Sequence, residues 1–354
     1  MPEQAGSPKI SGGLFQDLMQ VSHLKTEFEK AVARNKLASN IFCSYVIPTI
    51  GRPSLEIAVA SILQQEFHQA QFEVIVVNDS GSPLPDADWP VSPRVIIINT
   101  NKSERSFARN SGASIARGAY IAFLDDDDWI LPGALDTLWQ LANHYPKAAW
   151  LYGGIRIVDE RGRVLGEINS QLSGNCSSQI MGGAWAPLQA SIIQSRAFFE
   201  VGGFNPLICG TEDEDLCRRI ALRSDFANTR GVVACLYRGQ TWSTSTNYQR
   251  ASEDTKYSRD LILAKPNTFQ RLRSSVGSSY WSGRLLHVYF SSLIWNLRKK
   301  RFFSALSRLL YSSAFLGLSI KYLIYRDYWA GLGADHVPET LHFVMKENRM
   351  RKVP

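Results

Sequence analysis

Four short apolar runs alternate with helical patterns in the first half of this chain, and this alternation limits it to few folds. The runs are rich in β-branched and aromatic residues and span Ile41 to Ile47, Phe72 to Val77, Arg94 to Ile98 and Tyr120 to Leu124. Nearly continuous apolar runs are typical of strands buried on both faces. Strands that alternate with helices imply right-handed crossovers. The sequence therefore predicts an α/β fold with a mostly parallel sheet flanked by helices.

Polar residues directly follow three of these four runs. They are Pro48-Thr49, Asn78-Asp79 and the acidic run Asp125 to Asp128. Open parallel sheets bind their ligands outside the carboxyl ends of the strands. We therefore expect the three groups to meet at one edge of the sheet and to form a binding site there.

The acidic run indicates a metal site. Carboxylates delivered to one place by a strand raise each other's pKa unless a cation offsets their charge. Mg²⁺ or Mn²⁺, which take oxygen ligands, is the simplest explanation. The alternative is a solvated acidic turn that caps the helix beginning near Pro132.

A second acidic cluster, Thr211 to Asp215, contains a candidate general base. In a purely structural interpretation, Thr211 is a helix N-cap and Glu214 is its capping-box partner. A carboxylate beside an acceptor hydroxyl can also take the hydroxyl proton in a transfer reaction. Asp213 is the residue we expect in that role.

Three other residues have both a functional and a structural interpretation. Asp79 can accept from the N–H of a base such as uracil, or it can form an Asx-turn with the residues that follow. Arg105 and Arg109 lie four residues apart on a predicted helix. They can pair with phosphate or with the acidic run, or they can lie in solvent.

The basic charge of the chain is concentrated near its C-terminus. The whole sequence has 39 Lys and Arg against 32 Asp and Glu, and residues 265–354 hold 15 and 4 of these, which leaves 24 against 28 for residues 1–264. Apolar residues at helical spacing flank Arg298 to Arg301. This pattern suits attachment to the anionic inner leaflet of a membrane. Packing on the catalytic domain or dimer formation is the alternative, and nucleic acid is not expected because no recognition motif accompanies the charge.

The sequence predicts three segments: a helical preamble over residues 1–39, a catalytic domain over 40–264 and a basic, aromatic helical tail over 265–354. We interpret Ser170 to Ala186 as a mobile loop that faces substrate. Five cysteines without a Cys-x-x-Cys pair argue against disulfides and zinc. The polar N-terminus does not resemble a secretory signal, and no uninterrupted apolar run reaches the roughly 20 residues of a span. We expect a cytoplasmic location. Peripheral attachment to the cytoplasmic face of the membrane through the tail is the alternative that stays open.

In order and spacing, several motifs resemble those of the family 2 glycosyltransferases, which have the GT-A fold. The resemblance covers roughly residues 41–245. It rests on Tyr45 to Thr49, Val76 to Ser80, Ala108 to Gly112, Gly118 to Trp129, Pro132, Val201 to Phe204, Glu212 to Leu216 and Arg219.

This resemblance implies an inverting hexosyltransferase that moves a sugar from a nucleoside diphosphate sugar, with UDP as the expected nucleotide. The acceptor would be a hydroxyl of a glycan, of a lipid-linked glycan or of another molecule in polysaccharide synthesis. The expected donor-binding residues are Pro48, Thr49, Asp79, Arg109, Asp125 and Asp126. Asp127 would bind Mg²⁺ or Mn²⁺, and Asp213 would be the base. The residues expected near the acceptor or the transferred sugar are Glu212, Trp185, Gln240 and Trp242.

The chain departs from the family pattern at two places. The glycine often found before the Ala-Arg-Asn element is replaced around Ser103-Glu104. Where many relatives have Tyr-Arg-x-His, this chain has Tyr237-Arg238-Gly239-Gln240. It also lacks the Gln-x-x-Arg-Trp motif of processive synthases, so we expect addition of one or few sugars. A catalytically inactive nucleotide-sugar-binding protein is the alternative, and a nucleotidyltransferase ranks lower because the first loop offers one glycine.

Overall fold

The computed structural model describes residues 41–85, 87, 92–238 and 248–333. These residues belong to one compact unit that begins at Ile41. The predicted N-terminal helix of the 1–39 preamble lies outside the described residues. The strands are β1 (Ile41–Thr49), β2 (Gln71–Asn78), β3 (Val95–Asn99), β4 (Tyr120–Phe123), β5 (Trp129–Ile130), β6 (Ala148–Val158), β7 (Val164–Ile168), β8 (Ser191–Gln194) and β9 (Asp225–Tyr237). The helices are α1 (Leu55–Leu63), α2 (Arg105–Ile115), α3 (Ala134–His144), α4 (Ser177–Gly182), α5 (Ser195–Glu200), α6 (Glu212–Ala221), α7 (Tyr248–Leu263), α8 (Thr268–Ser275), α9 (Ser279–Arg298), α10 (Phe302–Ser319) and α11 (Arg326–Gly333).

The first four strands form the parallel half of the sheet, in the order β3-β2-β1-β4. β1 runs parallel to both β2 and β4, and β2 runs parallel to β3. The register pairs Thr49 with Asn78 and Val46 with Phe123. The carboxyl ends of β1, β2 and β4 therefore lie at the same edge, as the polar residues after these strands predict.

The second half of the sheet is mixed. β8 runs antiparallel between β4 and β6, and β6 runs parallel to β9. β7 pairs antiparallel with β6, and β5 pairs antiparallel with β9. The predicted α/β class is confirmed, and the antiparallel strands are confined to this half.

Helices cover both faces of the sheet. Its strands are therefore buried on both sides, which explains their continuous apolar runs in the sequence. Along β1, Tyr45 and Ile47 belong to one core while Val46 belongs to the other. The first core includes residues of α1 and α3, and the second includes residues of α2, α5 and α6. Each fully buried aliphatic or aromatic side chain contributes about 1.5–3 kcal/mol to this packing.

The C-terminal helices share a third core with α4. This core contains Met181 of α4, Leu285 and Tyr289 of α9, and Phe315 of α10. The Nε and Nη2 of Arg284 donate to the carbonyl oxygen at the end of α4, at 2.9 and 2.6 Å. The expectation that residues 170–186 form a mobile loop is therefore wrong for α4, which is a packed helix. The local sequence does not indicate this helix, because the helices that cover it come from a distant part of the chain.

α10 has its apolar side outward. Its buried residues include Arg308, Ser312 and Ser319, and Arg308 Nε donates to Asp260 Oδ1 of α7 at 3.0 Å. Phe303, by contrast, is 93% exposed. A surface helix of a globular protein normally buries its apolar stripe. Within the described part of the chain, one helical segment, residues 302–322, is long and apolar enough to cross a membrane.

Candidate active site

The carboxyl ends of β1, β2 and β4 bring the predicted polar residues together. β1 ends on Thr49 and β2 on Asn78, which are partners in the sheet register. β4 is followed by buried Leu124 and then by Asp125. Parallel pairing of the three strands thus places the acidic run beside the ends of the other two.

The four aspartates after β4 divide into two sets. Asp125, Asp127 and Asp128 each offer a carboxylate oxygen, and these oxygens lie within 4.8 Å of one another. Asp126 is buried and bonds to a different part of the site. The alternative that the run caps α3 is wrong, because α3 has a glycine N-cap with no side-chain hydrogen bond.

Asp126 fixes the loop that follows β1. Its Oδ2 accepts from Thr49 Oγ1 at 2.6 Å, and its Oδ1 accepts from Arg52 Nη1 at 3.0 Å. The same Arg52 nitrogen lies 3.0 Å from Asp127 Oδ2. Donor binding by Thr49 and Asp126 stays a prediction, since these side chains bond to each other. Arg52 was not among the site residues predicted from the sequence, although its position just after β1 assigns it to this edge.

A buried arginine joins the two acidic clusters. Arg109 of α2 donates from Nη2 to Asp125 Oδ1 at 2.5 Å and from Nη1 to Glu212 Oε1 at 2.9 Å. Its guanidinium lies 5.3 Å from the ring centroid of Phe204. Arg105, one turn earlier, lies 3.4 Å from Glu212 Oε1. The two arginines thus hold α6 against the acidic run, and Glu212, predicted near the acceptor, is their shared partner.

Charge pairing decides which carboxylates ionise readily. Burial raises the pKa of Asp125. The positive charges of Arg109 and then Arg105 together have the larger effect and lower this pKa to about 2. Burial and then the charge of Asp125 raise the pKa of Asp127, and the same two causes raise that of Asp128 well above its ordinary value. A divalent cation would offset this crowding of negative charge, and clustered carboxylate oxygens are the ligands that Mg²⁺ and Mn²⁺ prefer. The residues present therefore fit the predicted metal.

Asp213, the predicted base, lies in the first turn of α6. Its Oδ1 accepts from Glu214 N at 2.8 Å. Burial and then the charges of Glu212 and Glu214 raise the pKa of Asp213 to about 7. Thr211 is the N-cap residue of α6, as predicted, but the predicted capping box is wrong: Thr211 makes no side-chain cap bond, and Glu214 pairs with Arg218 one turn further along the helix.

Asp79 organises the loop before α2. Its Oδ1 accepts from Thr100 Oγ1 at 2.7 Å and from Ser103 N at 2.8 Å, and its Oδ2 accepts from Glu104 N at 3.2 Å. The Asx-turn proposed for Asp79 is wrong, because Asn78 forms that turn instead. Asp79 thus holds the loop that leads to the buried arginine.

Glu104 adopts a backbone conformation that usually needs glycine. Its φ of 112° lies in the left-handed region, where other residues carry strain of order 1–3 kcal/mol. The bond from its N–H to Asp79 and the bond from Ser106 N to its side chain, at 3.0 Å, stabilise this conformation. A glycine-type backbone is therefore present where the expected glycine is absent.

Two of the motifs that carry the family resemblance contact each other. Asn110 donates from Nδ2 to Phe204 O and accepts from Phe204 N, both at 2.9 Å. A Cβ at Gly203 would lie 2.6 Å from Asn110 Oδ1, so this close approach requires glycine. The pair of bonds fixes the aromatic ring beneath Arg109 and thereby orients the arginine.

The other predicted residues are less closely tied to the acidic clusters. Pro48 is half-buried at the end of β1, and half-buried Trp185 packs against the first core. Gln240 and Trp242 lie outside the described residues. Gln189, whose Nε2 lies 3.3 Å from Asp125 Oδ2, was also not among the site residues predicted from the sequence. Nothing in its local sequence distinguishes it, because its role depends on where β8 enters the sheet.

The chain matches Glycosyl transferase family 2 over residues 44–181. An uncharacterised glycosyltransferase of Haemophilus influenzae is 21% identical over 67% of this chain and 82% of its own length. The GalNAc(5)-diNAcBac-PP-undecaprenol beta-1,3-glucosyltransferase of Campylobacter jejuni is 33% identical over 37% of this chain. That match spans 42% of the Campylobacter protein, well under two thirds of its length.

Among solved structures, the fold resembles that of Staphylococcus aureus TarS 1-349 in complex with UDP-GlcNAc. The TM-score is 0.55 and the sequence identity 16%, over 78% of this chain and 92% of the other. This likeness confirms the GT-A-like α/β fold with its C-terminal helical region.

Proposed function

Because the chain belongs to glycosyltransferase family 2, we propose that it transfers a sugar from a UDP-sugar to an acceptor hydroxyl with inversion at the anomeric carbon. The observation that carries this proposal is the convergence of both acidic clusters on buried Arg109. One cluster suits a metal-bound diphosphate, and the other presents Asp213 for proton transfer. The likeness to a structure with bound UDP-GlcNAc supports UDP as the nucleotide.

The proposed reaction is a single displacement. The acceptor oxygen forms a bond to the anomeric carbon while the bond from that carbon to the diphosphate oxygen breaks, and UDP leaves with the bonding electrons. The proton of the acceptor hydroxyl moves to the Asp213 carboxylate. A pKa of about 7 makes this carboxylate a more effective base than an ordinary aspartate, while part of it stays ionised at neutral pH.

Asp127, with Asp125 and Asp128, would hold Mg²⁺ or Mn²⁺. When bound, the ion supplies positive charge to the diphosphate oxygens. Arg109 keeps Asp125 ionised, and Arg52 adds a further positive charge beside Asp127. In this proposal the side chains order the edge of the sheet before the donor arrives.

The nucleotide base would lie at Asp79. The Oδ2 of this residue accepts one bond of 3.2 Å within the described residues, and a carboxylate oxygen has two lone pairs. An N–H of uracil can therefore occupy the second position. The loop bonds to Oδ1 would hold the carboxylate in the required orientation.

We further propose that the enzyme attaches to an anionic membrane surface through α10. Phe303, Leu306 and Leu310 are exposed on this helix, and Arg298 to Arg301 immediately precede it. No Asp or Glu occurs between Asp260 and Asp327, so helices α8 to α10 lack acidic side chains that anionic lipids would repel. A location at the cytoplasmic face and a lipid-linked or other membrane-bound glycan acceptor are consistent with this attachment.

A panel of UDP-, GDP- and dTDP-sugars, each with Mn²⁺ and simple acceptors, tests the proposed reaction. We expect UDP-sugar to be consumed, and NMR of the product to give the opposite anomeric configuration from that of the donor. Retained configuration would contradict the single displacement. Binding of UDP-sugar without transfer to any acceptor would favour the non-catalytic alternative.

A further inference from the structure

Three arginines from three helices meet beside the first turns of α6. Arg218 lies in α6, Arg259 in α7 and Arg284 in α9, and α7 packs against both of the other helices. Arg218 and Arg284 are each 1% exposed, whereas Arg259 is half-buried. Burial and then the charges of Arg218 and Arg284 lower the pKa of Arg259 to about 9, which places the three groups in one electrostatic cluster.

Two carboxylates of α6 lie beside this cluster, and each has an arginine partner in its own helix. Glu214 pairs with Arg218, and Asp215, whose Oδ1 accepts from Ser258 Oγ at 2.6 Å, pairs with Arg219. Arg259 forms no ion pair with a described residue. Nη1 of Arg218 donates to Ser258 Oγ at 3.3 Å. The Nε atoms of Arg218 and Arg259 are buried and have no hydrogen-bond partner in the part of the chain that is described. Buried donors of this kind normally have an acceptor, so two of them together indicate that a ligand supplies one.

The cluster adjoins the helix that carries the proposed base. Arg218 lies in α6, one turn after Glu214, whose side chain is 40% exposed. Half-buried Arg259 is also in contact with solvent. A ligand group bound by Arg259 and Arg218 would therefore lie beside α6, the helix that carries Asp213.

We propose that Arg259 and Arg218 bind a phosphate group carried by the acceptor substrate. Arg259 forms no ion pair with a described residue, and its guanidinium beside that of Arg218 suits a phosphate of about −1.5 to −2 charge better than a singly charged carboxylate. Planar guanidinium groups also donate paired hydrogen bonds to phosphate oxygens. This inference rests on the proposed function, because it assigns the phosphate to the acceptor of that reaction.

Inorganic phosphate is the probe for this site. Melting temperatures are compared in phosphate and in chloride of equal ionic strength, both with saturating UDP and Mg²⁺ so that the donor edge is occupied. We expect phosphate to raise the melting temperature of the wild type and of Arg273→Gln, which removes an exposed arginine of α8. We expect Arg259→Gln to lose this shift and Arg259→Lys, which keeps the charge, to retain part of it. An equal shift in Arg259→Gln, or none in the wild type, would overturn the proposal.

Kinetics with a phosphate-bearing acceptor give a second readout. Arg259→Gln should raise the KM for that acceptor by roughly 10-fold or more, with kcat and the KM for donor unchanged. A loss of kcat at unchanged acceptor KM would contradict a binding role. Failure of UDP to stabilise the protein would count against the proposed function itself, and it would leave the phosphate shift as an independent result.

Discussion

The edge of the sheet and the junction of the C-terminal helices both contain buried arginines, but their excess charges have opposite signs. At the edge, Arg109 is shared by Asp125 and Glu212, and further carboxylates lie within 4.8 Å of Asp125. At the junction, Arg218 pairs with Glu214, whereas Arg259 forms no ion pair with a described residue. The two regions lie on either side of the first turn of α6, which carries the proposed base.

This difference matches the proposed substrate pair, whose two members need opposite environments. A carboxylate-rich edge binds a cation, and a diphosphate donor attaches through that cation. An arginine-rich junction binds an anion directly, so it suits an acceptor with its own phosphate. Variants that change one region and spare the other therefore test the comparison.

The largest expected effect comes from the base at the boundary between the two regions. Asp213→Asn should lower the rate of sugar transfer by about 10²–10⁴-fold, because an amide cannot take the hydroxyl proton. UDP binding should not change. Glu66→Gln, which alters an exposed carboxylate beyond α1, is the matched control for activity. Near wild-type turnover in Asp213→Asn would show that the base is assigned wrongly.

The buried arginine of the carboxylate-rich edge should matter far more than its exposed neighbour. The side chain of Arg109 is 3% exposed and that of Arg105 is 38% exposed, yet both contact Glu212. Arg109→Gln leaves buried carboxylates unpaired and should lower the free energy of unfolding by about 3–5 kcal/mol. Arg105→Gln should cost about 1 kcal/mol or less. Denaturant titration measures both, and equal losses would contradict the central place of Arg109.

Helix α10 should bind anionic membranes, whereas the exposed surface of the sheet domain should not. Phe303→Ser and Leu310→Ser should each weaken binding to phosphatidylglycerol vesicles by about tenfold or more, since each removes a side chain worth about 1.5–3 kcal/mol when buried. Ile57→Ser on α1 alters an apolar residue of the sheet domain that is about as exposed as Leu310, and it should have no effect. Vesicle sedimentation measures the binding. Equal binding to neutral vesicles, or variants that instead dissociate a dimer, would contradict membrane attachment.

The smallest expected effect is a pH dependence of activity and stability. Transfer should increase as pH rises through about 7, because Asp213 must be ionised to accept a proton. The folded protein keeps the Asp213 proton between about pH 4 and pH 7, where the unfolded chain has released it, so this group lowers stability as pH rises through that window. Asp213→Asn should remove this part of the decrease in melting temperature. A melting-temperature profile identical to that of the wild type would contradict the raised pKa.

The carboxyl edge was predictable because a simple rule connects sequence to position there. Strands that run parallel end at one edge, so Asp79 and the acidic run had to lie near each other once the strands were identified. The same rule applies to Arg52, which follows β1 directly and was nevertheless missed. The division within the acidic run was not predictable, because it depends on bonds from Thr49 and Arg52.

The arginine-rich junction was not predictable from the sequence. The strand β9 lies between Arg218 and Arg259 in the sequence, and helix α8 lies between Arg259 and Arg284, so these residues meet only through tertiary packing. The helix α4 was likewise hidden in a segment rich in small polar residues, and its stability comes from the third core. Local patterns report local structure, whereas these contacts join distant segments.

The central claim is that the acidic run holds the metal through which the donor diphosphate binds. Calorimetric titration with UDP, with Mn²⁺ and with a chelator, tests it most directly in the wild type, in Asp127→Ala and in the control Glu66→Ala. We predict that UDP binds the wild type and the control tightly only with Mn²⁺, and that Asp127→Ala loses this dependence together with most of the affinity. UDP binding that is equally strong without metal, or unchanged in Asp127→Ala, would contradict the account.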